Sequence, residues 1–223
     1  MRSSFHSSWF VLLSIVALTS ATMLLNAAPP ATAPSFAIPM DALRAHKEAI
    51  KTGDADAFAR CYICDNEDQT KAVKSIARSF AAMIRLREAC IDKFGPDQAK
   101  RVRLGLTVSI PEDAYDQVSG DTAKIYNVGG AKPLELKRVD GQWKMTYASL
   151  VDNNFRDLPK LEPNVIASVF EISTATYKSL ADDTKAGKFN SATEANDALS
   201  DRRNEMAAKI QSLIKTQKEA AQP

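Results

Sequence analysis

The sequence predicts an α+β protein, with helices packed on a small antiparallel β-meander and followed by a C-terminal helical hairpin. Three observations carry this. Apolar residues recur at helical spacing from Val73 to Phe94, the period falls to two between Thr122 and Tyr147, and the helical period returns after Pro163.

The first residues stand apart from that domain. Met1 to Trp9 is short and polar with one cation, Arg2, and Phe10 to Leu25 carries no charge. Small residues follow at Ala27 and Ala28. This is the pattern of a secretory signal peptide over residues 1–28, cleaved near Ala27 or Ala28, with a Pro/Ala-rich linker at 29–39. An uncleaved anchor is the competing reading, because Trp9 to Ala28 approaches the ~20 residues that cross a bilayer, although Ser14, Thr19, Ser20, Thr22 and Asn26 dilute it. Both readings place the domain outside the cytoplasm, in a periplasm or secreted.

Loss of residues 1–28 removes Arg2 and no acid, so the formal charge falls from +2 to +1. A nearly neutral chain with interspersed signs offers no electrostatic footprint for nucleic acid or an anionic membrane surface. The expected partner is a protein or a small molecule. No nucleic acid is expected, and no membrane contact beyond an uncleaved anchor.

Residues 40–150 form the predicted α+β domain. Asp41 is placed to cap a helix through Leu43, Ala49 and Ile50, which Gly53 ends in a left-handed cap. Asp54 then caps a short helix anchored by Phe58 and Tyr62. A long helix begins among Asp68 and Thr70, runs through Val73, Ile76, Phe80, Met83, Ile84, Ile91 and Phe94, and stops at Gly95-Pro96. Its cations Lys74, Arg78, Arg85 and Arg87 mark the solvated side.

Strand formers fill Thr122 to Tyr126, and turns are marked at Gly120-Asp121 and Gly129-Gly130. Leu134 and Leu136 alternate with Glu135 and Lys137, Asp140-Gly141 fits a type I′ hairpin turn, and Trp143, Met145 and Tyr147 alternate with polar residues. Such alternation implies a sheet with one buried and one wet face. After a connection at 151–163 punctuated by Pro159 and Pro163, residues 164–219 form the hairpin. One helix runs through Ile166, Val169, Phe170, Tyr177 and Leu180 to Gly187. The capping box Ser191-Ala192-Thr193-Glu194 opens the other, striped by Ala195, Leu199, Met206, Ile210 and Leu213.

Cys61-Tyr62-Ile63-Cys64 is the sharpest motif. A redox dithiol would want a stabilised thiolate, whereas Asp65, Glu67 and Asp68 lie just downstream. A zinc site lacks further ligands, and no cofactor or metal is expected. The remaining reading is a structural disulfide, permitted by export, that pairs one of the two close cysteines with Cys90; Cys64–Cys90 is the expected pair, with Cys61 a buried thiol beside Phe58. His46 reads as a lone surface histidine, and no catalytic residue stands out. Phe58, Tyr62, Phe80, Leu136, Trp143, Met145 and Tyr147 line either a pocket or the core.

Two stretches carry a family resemblance. Ala42-Leu43 through Ala49-Ile50-Lys51-Thr52-Gly53-Asp54-Ala55-Asp56-Ala57-Phe58 looks like the opening helix, Gly-Asp break and second helix of the nuclear transport factor 2-like (SnoaL-like) superfamily, in its small exported bacterial versions. Gly120-Asp121-Thr122-Ala123, Leu134 to Val139 and Asp140-Gly141-Gln142-Trp143-Lys144-Met145 look like its closing strands. The long third helix and the terminal hairpin depart from the pattern. The resemblance implies a curved sheet whose helices can enclose a pocket, serving isomerase or dehydratase chemistry in some members and only binding or dimerisation in others. None of the family's catalytic acids finds a matching position here. The expected role is therefore non-catalytic binding or assembly. The alternative is a small-molecule binder or lyase/isomerase-type enzyme with a pocket between sheet and helices.

Overall fold

Seven helices and five strands are assigned in a computed structural model that describes residues 36–105, 110–128, 132–154 and 161–220. The expected signal peptide, its cleavage site and the Gly129-Gly130 turn lie outside the described residues. Pro34–Pro223 forms one compact unit.

Helix α1 (Pro39–Thr52) starts two residues before the expected cap, because Pro39 occupies the first turn, where its missing N–H costs nothing. Asp41 instead pairs with Arg44 at 2.9 Å. Gly53 ends the helix at φ +70°, as expected, and a Cβ there would meet Ala81 Cβ at 3.0 Å. Both the left-handed turn and the close approach require glycine. Asp54 caps α2 (Ala55–Arg60), its Oδ1 accepting from the N–H groups of Asp56 and Ala57 at 3.0 and 2.8 Å.

Two residues of strand, β1 (Tyr62–Ile63), precede the long helix α3 (Glu67–Phe94). Asn66 caps α3 by accepting from Gln69 N–H at 2.9 Å, so the helix opens slightly earlier than expected, and it ends at Gly95 as expected. Pro96 starts the short α4 (Pro96–Ala99). The meander comprises β2 (Tyr115–Ser119), β3 (Thr122–Tyr126), β4 (Leu134–Val139) and β5 (Gln142–Thr146). Asp140 and Gly141 both have positive φ, 51° and 76°, as the type I′ turn between β4 and β5 requires.

The sheet order is β1-β5-β4-β3-β2, with β1 parallel to β5 and every other pair antiparallel. Ala123, Ile125, Leu136, Trp143 and Met145 are buried on one face, while Lys124, Glu135 and Lys137 are exposed on the other. Tyr147 does not extend β5. Thr146 turns the chain by accepting from Ser149 N–H at 3.1 Å, and α5 (Tyr147–Asn154) begins there.

The terminal hairpin consists of α6 (Pro163–Lys185) and α7 (Ala192–Ala220). Ser191 Oγ accepts from Glu194 N–H at 3.2 Å, and Glu194 Oε2 accepts from Asn190 N–H at 2.8 Å, so the reciprocal bond of the box lands one residue early. Helix α6 lies along α3, the most extensive helix pairing in the fold, and small residues of α3 (Ala72, Ser75, Ala82, Ala89) are buried there or nearby. Ser79 Oγ and Ser173 Oγ bond across these helices at 2.8 Å.

Those two helices span two cores. One joins the buried sheet face to α1, α2, the first half of α3 and the start of α6 through Leu43, Phe58, Ile76, Leu136, Met145 and Ile166. The other contains no strand residue and is built from Leu86, Cys90, Tyr177, Leu180 and Leu199 of the helices with Val102 of the segment after α4. Leu180 and Leu199 are essentially unexposed, whereas Met206, Ile210, Leu213 and Ile214 of α7 belong to neither core and are half-exposed.

Candidate functional site

The helix-covered face of the sheet is where a pocket would lie. Tyr62 extends β1 beside Met145, while Phe58 projects from α2 and Phe80 from α3. The Phe58 ring lies 5.2 Å from Tyr62 and 6.3 Å from Phe80, centroid to centroid. Leu136, Trp143 and Met145 complete the floor, and Tyr147 packs at its margin. The seven residues named as pocket or core lining are thus brought together in one cluster, five of them buried and Phe80 and Tyr147 partly so. Phe58 and Met145 are 0% exposed and Leu136 1%.

His46 corrects the surface reading. It is buried on α1 against Phe58, with ring centroids 4.7 Å apart, and its Nδ1 lies 3.1 Å from Tyr62 Oη. Leu43, His46 and Ile50 sit at i, i+3 and i+7, so the buried face of α1 includes the histidine. Burial, with Lys47 adding its charge, lowers the His46 pKa to about 3, and burial pushes the Tyr62 phenol well above its ordinary range. Both groups are therefore neutral at physiological pH. A hydroxyl that donates to Nδ1 leaves the imidazole proton on Nε2.

A neutral histidine bonded to a phenol could serve as a general base if a carboxylate oriented it and a substrate reached it. The groups seen against His46 are instead aromatic rings. At the margin, the Tyr147 hydroxyl is buried without a hydrogen-bond partner among the described residues, and burial raises its pKa to about 12, with Cys64 and Glu162 adding to the effect.

The disulfide expectation is overturned: Cys61, Cys64 and Cys90 are free thiols. Cys64 sits just ahead of α3 and packs against the sheet core, whereas Cys90 sits in its last turns within the helical core. A helix of 28 residues is about 42 Å long at ~1.5 Å per residue, while a disulfide needs Cα atoms within about 7 Å. Cys61 is buried, as expected, with Sγ donating to the Ala57 carbonyl at 3.4 Å. Burial lifts its pKa to about 12 and raises those of Cys64 and Cys90 as well, with Asp65 contributing at Cys64. These are protonated thiols, poor nucleophiles for redox exchange.

Among the described residues, no three His, Cys, Asp or Glu side chains gather where a metal ion could be held, and no helix is long and apolar enough to cross a membrane. The outer surface is more open. A groove of about 340 Å³ runs between α6 and α7, lined by Ile172, Thr176 and Ser179 on one side and Arg202, Met206 and Lys209 on the other. Described side-chain bonds from α7 to the rest of the fold end at Arg203, whose guanidinium donates to the carbonyls of Arg103 and Leu104 at 2.9 and 3.2 Å. Nearby, Arg202 pairs with Asp183. Comparisons of the chain with family models, with curated proteins and with solved structures give no match.

Proposed function

We propose that this chain is an exported α+β protein of the nuclear transport factor 2-like type that acts by binding or assembly rather than by catalysis. The observation that carries the reading is the tight burial of the residues between sheet and helices. Phe58, Leu136 and Met145 are at most 1% exposed, and the buried polar pair His46–Tyr62 packs against the Phe58 ring. Family likeness is supported by two helices broken at Gly53-Asp54 and by an antiparallel meander covered on one face, while the long α3 and the terminal hairpin depart from it. Export is supported by the uncharged run Phe10 to Leu25 with small residues behind it.

The interaction surface in this reading is the distal half of α7. Met206, Ile210, Leu213 and Ile214 form a stripe at helical spacing that contributes to neither core. The mature protein's near neutrality points to a protein or small-molecule partner, with nucleic acid disfavoured. The test compares the full chain with one ending at Glu205, each crosslinked in the extracytoplasmic fraction. A partner recovered by the full chain and lost with the shorter one supports the reading, and equal recovery by both overturns it.

A further inference from the structure

The two edges of the sheet are finished differently. At one edge β5 is covered: Met145 N–H donates to the Cys61 carbonyl and Trp143 N–H to the Phe36 carbonyl, both at 2.9 Å. At the other edge β2 is exposed at four of its five positions. A two-residue turn, Gly120-Asp121, joins Ser119 to Thr122, which makes Ser119–Thr122 and Gln117–Lys124 the hydrogen-bonded pairs with β3. The N–H and C=O groups of Asp116 and Val118 therefore point away from the sheet.

The buried face stops abruptly at this edge. Met145, Leu136, Ala123 and Val118 lie side by side across four strands. Their exposures are 0%, 1%, 3% and 55%, so the apolar row runs out into water at its last member. Strands that end a sheet are commonly guarded by lysine, proline, a bulge or an inward-pointing charge. Here β2 (Tyr-Asp-Gln-Val-Ser) has no lysine or proline and pairs with β3 one-to-one without a bulge; its one charge, Asp116, lies opposite Ile125 on the face of Val118. An open hollow of about 500 Å³ lies along it, lined by Gln117, Val118, Ser119, Thr122, Ala123 and Lys124.

We infer that β2 pairs antiparallel with β2 of a second copy of this chain about a two-fold axis at Val118. Val118 exchanges main-chain bonds with its symmetry mate, and the apolar row continues unbroken from one sheet into the other. The same register sets Gln117 opposite Ser119 of the second copy on the wet face, an amide facing a hydroxyl. Asp116 falls opposite Gly120, so the two carboxylates do not meet. This self-complementarity favours a second copy over an unrelated extended peptide. An edge of five residues buries less than the ~1,200 Å² of a stable interface, so the dimer dissociates on dilution.

Sedimentation equilibrium of the purified protein tests this. The apparent mass should climb from about one chain near 5 µM toward two chains near 500 µM. Val118→Lys should hold it at one chain throughout, whereas Val139→Lys, on another exposed strand end, should leave the rise unchanged. A wild-type mass of one chain at every concentration, or a Val118→Lys variant that associates like wild type, overturns the inference. Should Val118→Lys fail to fold, amide exchange of the wild type decides. Asp116 and Val118 gain protection with concentration if β2 pairs, and unchanged exchange overturns the pairing. A chain ending at Glu205 keeps β2, so losing the α7 partner would leave self-association intact.

Discussion

Tyr62 Oη and His46 Nδ1 stand 3.1 Å apart in the aromatic core, joining α1 to the first strand by a bond between two neutral groups. The histidine stays unprotonated in the folded state down to about pH 3, while the unfolded chain takes up a proton near pH 6.5. Its contribution to stability is thus complete above pH 6.5 and is lost as pH falls from 6.5 toward 3, at up to ~1.4 kcal/mol per pH unit. Asp56 and Asp183 have folded pKa values below their ordinary 3.8, so their contributions are lost only in more acidic solution. Denaturant unfolding at intervals between pH 5 and 8 should show stability falling below pH 6.5 in the wild type and flat in His46→Gln. An identical fall in both would refute the assignment.

Two tyrosines in the same core should respond oppositely to loss of the hydroxyl. Tyr62→Phe leaves His46 Nδ1 buried without its partner, at a cost of about 1–3 kcal/mol. Tyr147→Phe removes a buried hydroxyl that has no partner among the described residues, so stability should hold or rise. The paired unfolding midpoints check this, and a larger loss for Tyr147→Phe than for Tyr62→Phe would contradict it.

Free thiols in two separate cores make a third expectation. Thermal unfolding should be the same with and without reductant, since no disulfide constrains the unfolded chain. Alkylation of the native protein followed by peptide mapping should label the half-exposed Cys64 first. Cys61 and Cys90 should react only as their own cores open, giving two rates rather than one. A lower midpoint under reductant would show that a disulfide forms and overturn the assignment of three free thiols.

Most helices and three strands were legible because their burial is periodic. Val73 to Phe94, Ala123 to Ile125 and Trp143 to Met145 each bury one regular set of positions. Strand β2 escaped because it buries nothing: with Tyr115, Gln117, Val118 and Ser119 all exposed, no alternation exists to read. Strand β1 is two residues held by tertiary pairing with Met145 and Thr146, which local sequence does not encode. At Tyr147 the alternation continued past the point where Thr146 caps a helix, and the local hydroxyl bond overrode the period. The disulfide failed for a reason already present in the sequence. A helix running to Phe94 cannot return Cys90 to Cys64. The aromatic cluster is legible in part: its rings read as lining, while His46 reads as a surface residue although its spacing from Leu43 and Ile50 marks the buried face.

The hairpin should divide energetically in the middle of α7. Helix α6 supplies Ile166 and Ala167 to the sheet core and Tyr177, Leu180 and Ala181 to the helical core, and α7 adds Ala192, Ala195 and Leu199. A chain ending at Pro163 exposes both cores and should not fold. Leu180→Ala and Leu199→Ala remove fully buried side chains and should each cost about 2–5 kcal/mol. Ile210→Ala, beyond Arg203 and outside both cores, should cost under about 1 kcal/mol. A chain ending at Glu205 should retain a cooperative transition close to that of the full chain. Guanidinium unfolding of the five proteins checks the order. Comparable losses for Ile210→Ala and Leu199→Ala would show that the distal stripe is covered within the chain itself, and the α7 surface would then have to be given up as a site for a partner.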